Sequence, residues 1–359
     1  MVNYLDFWKG KRVLLTGHSG FKGAWHAVIL ADLGANVHGV SLDAPSQVNL
    51  FAKIGSAHLA QSFTGIDIAN VDAFIEIVRQ IEPEIVFHFA AQPLVIESYK
   101  APRTTIESNV VGTMAVLEAM RLVDSVRTGV IVTTDKCYRN TGSTTGYDEM
   151  APLGGSDVYS GSKAAAEILV NSYANSFFDK NSGVSVATVR AGNVIGGGDW
   201  AANRLFPDLA RACSADMPLV VRNPQMTRPW QHVLEPLFGY LKVGYHLANG
   251  GKYAMPSAWN FGPDLEDCVS VGTIVELAQS CLDGKLKTAI NKAPAAFHEE
   301  ARLTLDCTKA KAELDWNPAL SLADAVALTV DWYVEEHAGG NALDICRRQI
   351  GDYMELLSE

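Results

Sequence analysis

The segment Val13-Leu-Leu-Thr-Gly-His-Ser-Gly-Phe-Lys-Gly23 constrains this chain more than any other. An apolar run ends in three glycines spaced three apart, and a helix-period segment, Lys22–Leu33, follows at once. A strand, a glycine turn and a helix in that order open a βαβ unit of a parallel sheet. Gly17 permits the tight turn, Gly20 lets the backbone approach a pyrophosphate, and Gly23 lets the helix pack on the strand, with the helix N-terminus facing the anion.

The alternation continues along the chain. Strands are expected at Arg12–Thr16, Asn36–Ser41, Ile85–Phe89, Gly129–Thr133, Val184–Arg190 and Ala258–Phe261. Helices are expected at Lys22–Leu33, Val71–Ile81, Thr104–Leu122, Asp157–Phe178, Val233–Leu247 and Val271–Leu282. The pattern predicts an α/β chain with a Rossmann-type doubly wound parallel sheet. After Arg190 the loops turn rich in glycine and proline, so a smaller, discontinuous lobe is expected over about 191–230 and 263–359. Residues 1–190 and about 231–262 then form the dinucleotide-binding part, with Ala258–Phe261 returning to the sheet as its last strand.

Charge and cysteine usage narrow the partners. A formal charge of -11 argues against a general nucleic-acid or membrane-surface binder, so a phosphate ligand must be held by local basic residues and backbone N–H groups. The six cysteines are scattered, without a C-x-x-C, which fits a reducing compartment and gives no set of metal ligands. Met1 to Lys11 carries no apolar core of a leader, and no apolar stretch of membrane-spanning length follows. A cytoplasmic location is expected.

The candidate site residues sit at predicted strand ends. Ser41 closes the second strand and Asp43 lies two residues on; either could contact an adenosine ribose. No arginine stands there for a 2′-phosphate, which favours NAD over NADP. Asp67-Ile68 and Ala90-Ala91 fall on the side where open parallel sheets bind cofactors, and the two alanines allow a flat ligand to approach closely. His88 reads as a packed strand histidine. Tyr159 and Lys163, four apart, share one helical face. A lysine ammonium and a nicotinamide cation favour the phenolate of a tyrosine whose reference pKa is about 10. Thr134, Asp135 and Lys136 follow the apolar run Gly129–Thr133 and bring an acid and an amine to the same region.

These residues resemble the extended short-chain dehydrogenase/reductase superfamily, and within it the nucleotide-sugar 4,6-dehydratases. The match is carried by Gly17/Gly20/Gly23, Asp67-Ile68, Phe89-Ala-Ala91, Asn109, Thr134-Asp135, Tyr159/Lys163 and Arg190-x-x-Asn193-Val. It runs on to Leu305–Trp316 and Thr329–Tyr333, nearly the whole length. Gly17-His-Ser-Gly-Phe-Lys-Gly23, Ala90-Ala-Gln-Pro-Leu-Val95 and Thr134-Asp-Lys-Cys-Tyr138 are similar to the CDP-glucose branch, which has lysine where dTDP-glucose relatives have glutamate.

The resemblance implies a mechanism. Tyr159, tuned by Lys163 and bonded to Thr134, takes the C4 hydroxyl proton as hydride leaves for NAD. Asp135, protonated at that moment, gives its proton to the C6 hydroxyl so that water leaves. Lys136 is either the neutral C5 base or a charged stabiliser of the enolate oxygen. The resemblance further implies that Phe21 and Thr133 join the cofactor residues named above. Gln92, Thr134, Asn193, Arg204, Arg222 and Arg228 would hold CDP-glucose, while Trp200 and Phe206 read as packing residues. Pro229 and His232 fall where the stretch departs from the dTDP-sugar pattern and receive no role. A homodimer or dimer of dimers, joined through Thr104–Leu122 and Asp157–Phe178, is the family expectation. Alternatives are a sibling dehydratase, a 4-epimerase, against which Asp135-Lys136 speaks, or a non-catalytic NAD-binding regulator.

Overall fold

The computed structural model describes residues 4–44, 46, 48–143, 145–178, 182–250, 257–290 and 303–358. Six strands build most of the central sheet: β1 (Arg12–Thr16), β2 (Asn36–Val40), β3 (Gln61–Phe63), β4 (Ile85–His88), β5 (Thr128–Val132) and β6 (Ser185–Ala191). The spatial order is β3-β2-β1-β4-β5-β6, with Ser257–Phe261 added beside β6, and every pairing is parallel. The order reverses between β1 and β4, where open α/β sheets leave a crevice beyond their strand ends.

Strand alternation sends successive side chains to opposite faces. Val13 and Leu15 of β1 join a core with Trp25, Val28, Phe87, Val130 and Phe238, against helices Phe21–Asp32 and Leu234–Ala248. Leu14 joins Phe74, Val86, Val116, Ile131 and Val170 on the other face, under helices Val71–Ile81, Gly112–Leu122 and Val158–Phe177. The sheet is thus covered on both sides, as the near-continuous apolar strands predict.

Two departures from the sequence reading have a local physical cause. The expected helix Thr104–Leu122 is helix Pro102–Ile106, a π-helical turn Glu107–Val111 and helix Gly112–Leu122. Asn109 in that turn accepts from Gln92 N–H (2.8 Å) and donates to the Ser162 hydroxyl (2.9 Å), while Thr113 donates back to the Asn109 carbonyl (2.7 Å). Side-chain bonds of this kind compete with the regular helix ladder. Strand β3 has only three residues, none fully buried, so no apolar run announced it.

Beyond β6 three short pairs hold the loops: Val194–Ile195 with Gln231–His232, Leu219–Val221 with Thr288–Ile290, and Thr227–Pro229 with Cys268–Ser270. The C-terminal helix Leu322–His337 packs on the first of these pairs, and helix Ala342–Leu356 packs on Leu322–His337 and on helices Phe21–Asp32 and Leu50–Ile54. Glu235 is a clamp between the C-terminal helices and the sheet: its carboxylate accepts Ala319 N–H (2.9 Å), Leu320 N–H (2.8 Å) and the Tyr353 hydroxyl (2.7 Å). Among the described residues no helix is long and apolar enough to cross a membrane, and no cluster of potential ligands could hold a metal ion.

Candidate active site

A cleft of about 1520 Å³ opens beyond the strand ends and runs from the glycine turn to the strand Leu219–Val221. Gly17 adopts φ +74°, and a Cβ there would stand 2.6 Å from Ala90 N, so only glycine fits between β1 and the end of β4. A Cβ on Gly23 would lie 2.2 Å from the Gly17 carbonyl oxygen. This glycine therefore lets the helix close on the turn itself, a more specific job than the expected packing on the strand. Phe21 begins the helix and, with Gly20, faces the cleft.

The remaining expected cofactor residues also border this space. Ser41 is buried, with a hydroxyl that has no hydrogen-bond partner among the described residues, whereas Asp43 is exposed at the rim. Asp67 accepts the Ala69 N–H (2.9 Å), Ile68 is buried beside Gly112, and Ala90 and Ala91 line the wall. Thr133 borders the cleft, but its hydroxyl is spent on Glu167. His88 is, as expected, a packed histidine: it bonds Thr16 (2.8 Å) and Thr113 (3.2 Å), and burial lowers its pKa to about 3.

The chemical groups converge at the ends of β5 and helix Val158–Phe177. Asp157 caps that helix by accepting Ser160 N–H (2.9 Å), which sets Tyr159 in its first turn and Lys163 one turn on. Lys163 donates to the Val132 carbonyl at 3.1 Å. Burial lowers its pKa to about 8, against the pull of Glu167. Burial likewise pushes Tyr159 up to about 12, with the neighbouring Thr134 hydroxyl opposing it, the Asp135 charge adding to it and Arg204 counteracting. Thr134 donates to Asp135 Oδ1 at 2.8 Å, and Asp135 Oδ2 is buried without a hydrogen-bond partner among the described residues. Lys136 is half-buried on the cleft wall, with no bond to its ammonium among the described residues.

The expected substrate residues divide. Asn193, Arg204, Arg222 and Arg228 line the cleft. Asn193 has φ +44°, a left-handed backbone that asparagine tolerates better than most residues. Arg204 pairs with Asp199 (2.8 Å), Arg222 bonds Asn203 (3.0 Å), and Arg228 donates to the Thr227 carbonyl (2.9 Å). Gln92 is different: it does not line the cleft, and its amide is engaged by Leu94 N–H (2.6 Å), the Leu94 carbonyl (3.1 Å) and Thr105 (2.9 Å). Its side chain braces the loop after β4.

Three features escaped the sequence reading. Lys22, between two of the motif glycines, projects into the cleft among Arg204, Asp135, Lys163 and Asp199, and burial lowers its pKa to about 7. Glu167, one turn beyond Lys163, is held by Arg190 through two bonds (2.9 and 2.7 Å) and by Thr188 (2.6 Å), which fixes a buried charge behind the lysine. The spacing of Lys163 and Glu167 was a readable signal, since both fall on one helical face. Gly192, third, touches the Asp135 carboxyl.

Comparison with known proteins agrees with this architecture. The sequence pattern of the GDP-mannose 4,6 dehydratase family matches residues 14–329. The chain is 42% identical to the CDP-glucose 4,6-dehydratase of Salmonella typhimurium, over 97% of this chain and 98% of that protein. It is 27% identical to a dTDP-glucose 4,6-dehydratase of Xanthomonas campestris, over 89% and 92%. Among solved structures, the epimerase Mth375 of Methanothermobacter thermautotrophicus superposes with a TM-score of 0.79 at 21% identity, covering 96% of each chain. The dTDP-glucose 4,6-dehydratase of Bacillus anthracis, solved with NAD, gives 0.74 at 20% identity, covering 93% of this chain and all of that one. With its sheet order, its cleft and its matched length, the chain belongs to the GDP-mannose 4,6 dehydratase family, within the extended short-chain dehydrogenase/reductase superfamily.

Proposed function

We propose that this chain is an NAD-dependent CDP-glucose 4,6-dehydratase, forming CDP-4-dehydro-6-deoxyglucose. The observation that carries the reading is the union, in one cleft beside the glycine turn, of a Tyr/Lys pair with a Thr/Asp pair. The choice of CDP-glucose rests on the 42% identity to an enzyme of that name.

The residues fit NAD. Gly17 and Gly23 stand where no side chain fits, the helix N-terminus is open to an anion, and the Ser41 hydroxyl, without a partner among the described residues, lies at the end of β2. NAD, when bound, supplies the acceptor that takes hydride from the sugar C4 and returns it to C6. Tyr159 is the base for the C4 hydroxyl proton, and its burial means that it needs the nearby cations to release its own. Lys163, anchored on Val132, supplies one such charge at a fixed place. Asp135, oriented by Thr134, gives its proton to the departing C6 hydroxyl. Lys136, on the cleft wall, either takes the C5 proton as the neutral amine or, as the ammonium, steadies the C4 enolate oxygen while another group takes that proton. Arg204, Arg228 and Asn193 flank the part of the cleft suited to a diphosphate.

Ile106, Leu122, Ile168 and Phe177 are exposed apolar residues on the helices around Glu107–Val111 and on Val158–Phe177, which supports pairing of two copies through these helices. None of the six cysteines forms a disulfide, which supports a reducing compartment such as the cytoplasm.

CDP-glucose deuterated at C4 tests the assignment. Loss of water with the label moved to C6, read by mass spectrometry and NMR, is expected. Label kept at C4 with no water lost, across CDP-, dTDP-, UDP- and GDP-sugars, would exclude dehydration and leave epimerisation.

A further inference from the structure

We propose that Gly192 is a positioning residue for the elimination step: the absence of its side chain is what lets the Asp135 carboxyl take its place. The inference rests on the assignment of Asp135 as the proton donor.

Asp135 follows β5 and Gly192 follows β6, two adjacent parallel strands in register at Val132 and Val189, so the two residues meet just beyond the strand ends. A Cβ on Gly192 would stand 2.0 Å from Asp135 Oδ2, 2.4 Å from Cγ and 2.9 Å from Oδ1. All of these are shorter than any non-bonded contact a real Cβ makes. Gly192 is not in the left-handed region, so its backbone does not demand glycine; the space does. Neither partner can retreat freely. The Gly192 carbonyl accepts the Gln231 amide (3.2 Å), and the next residues are tied to Gln231–His232 as a strand pair. On the other side Thr134 holds Oδ1 at 2.8 Å. Any side chain at position 192 therefore turns the carboxyl away from its present direction while leaving Tyr159 and Lys163 on their own helix undisturbed.

The test is Gly192→Ala, with Asp135→Asn in parallel. In Gly192→Ala, C4 oxidation persists but water loss slows about ten- to hundredfold, the usual cost of an ångström-scale misplacement, so NADH accumulates with CDP-glucose. In the ligand-free protein the Asp135 carboxyl ¹³C resonance, assigned by its loss in Asp135→Asn, shifts. Adding Gly192→Ala to Asp135→Asn slows elimination no further. Water loss at the parent rate, or equal slowing of both steps with an unmoved resonance, overturns the proposal. If Asp135→Asn itself eliminates water normally, the donor assignment fails instead. Should Gly192→Ala not fold, the double variant Gly192→Ala/Asp135→Ala decides: recovery of folding supports the contact, and its failure overturns it.

Discussion

Tyr159 keeps its proton at neutral pH because burial opposes the phenolate, so under the proposed function Thr134 and Arg204, which favour the phenolate, lower that cost, whereas the Asp135 charge adds to it. Replacing it with phenylalanine keeps the ring and removes the oxygen. Tyr159→Phe should reduce NADH formation with CDP-glucose at least ~100-fold, the lower end of what a positioned base contributes; undiminished NADH formation would remove Tyr159 from its role. This tyrosine, Lys163, Thr134 and Asp135 were legible in the sequence because their spacing is local: four residues along a helix, or neighbours at a strand end. Lys22 and Gly192 were not, since each acquires its meaning from a distant partner, whereas the four-residue spacing of Glu167 from Lys163 was a signal left unread. Nothing in Phe21-Lys22-Gly23 says that Asp135 and Asp199 will stand across the cleft. Gln92 shows the converse: its motif neighbours border the cleft while its own amide serves Leu94 and Thr105.

The glycine turn acts as a unit, because Gly17 meets β4 on one side and Gly23 meets Gly17 on the other. Gly23→Ala must spread the turn, with an overpacking cost of about 1–3 kcal/mol. NAD affinity, measured by calorimetry, should fall at least about tenfold with it. Gly351→Ala is the control, since a Cβ in that exposed helix meets nothing within 4 Å; equal affinity in the two variants would refute the account. Strands and helices of the sheet were read to within a residue or so wherever an apolar run or a 3.6-residue period was long, as at Arg12–Thr16 and Val71–Ile81. The π-helical turn was invisible because Asn109 looks like any helical residue until Gln92 and Ser162 are placed beside it. Strand β3 was too short and too exposed to carry a pattern.

At the scale of the molecule, Glu235 joins the C-terminal helices to the rest, and burial pushes its carboxyl up to about 7 despite its bonds to Tyr353, Leu320 and Ala319. The folded state therefore disfavours the charged form. Its contribution to stability is complete below the unfolded value of 4.5 and is lost as pH rises through about 7. The loss amounts to about 3 kcal/mol. Denaturant unfolding of the parent chain should show stability falling between pH 5 and pH 8, and Glu235→Gln should flatten that fall by up to this amount. Identical slopes in the two proteins would refute it.

The strand Ser257–Phe261 reaches β6 only after the chain has passed through the loops, the short pairs and helix Leu234–Ala248. During synthesis at about 5–20 residues per second, β6 thus waits for seconds as an open edge of a buried, apolar strand. An unpaired edge of that kind offers its backbone groups to any other chain nearby. The moment of greatest exposure to misassembly comes just after β6 has left the ribosome. A premature stop between β6 and Phe261 would accordingly yield an aggregating fragment, not a smaller protein that still binds its cofactor.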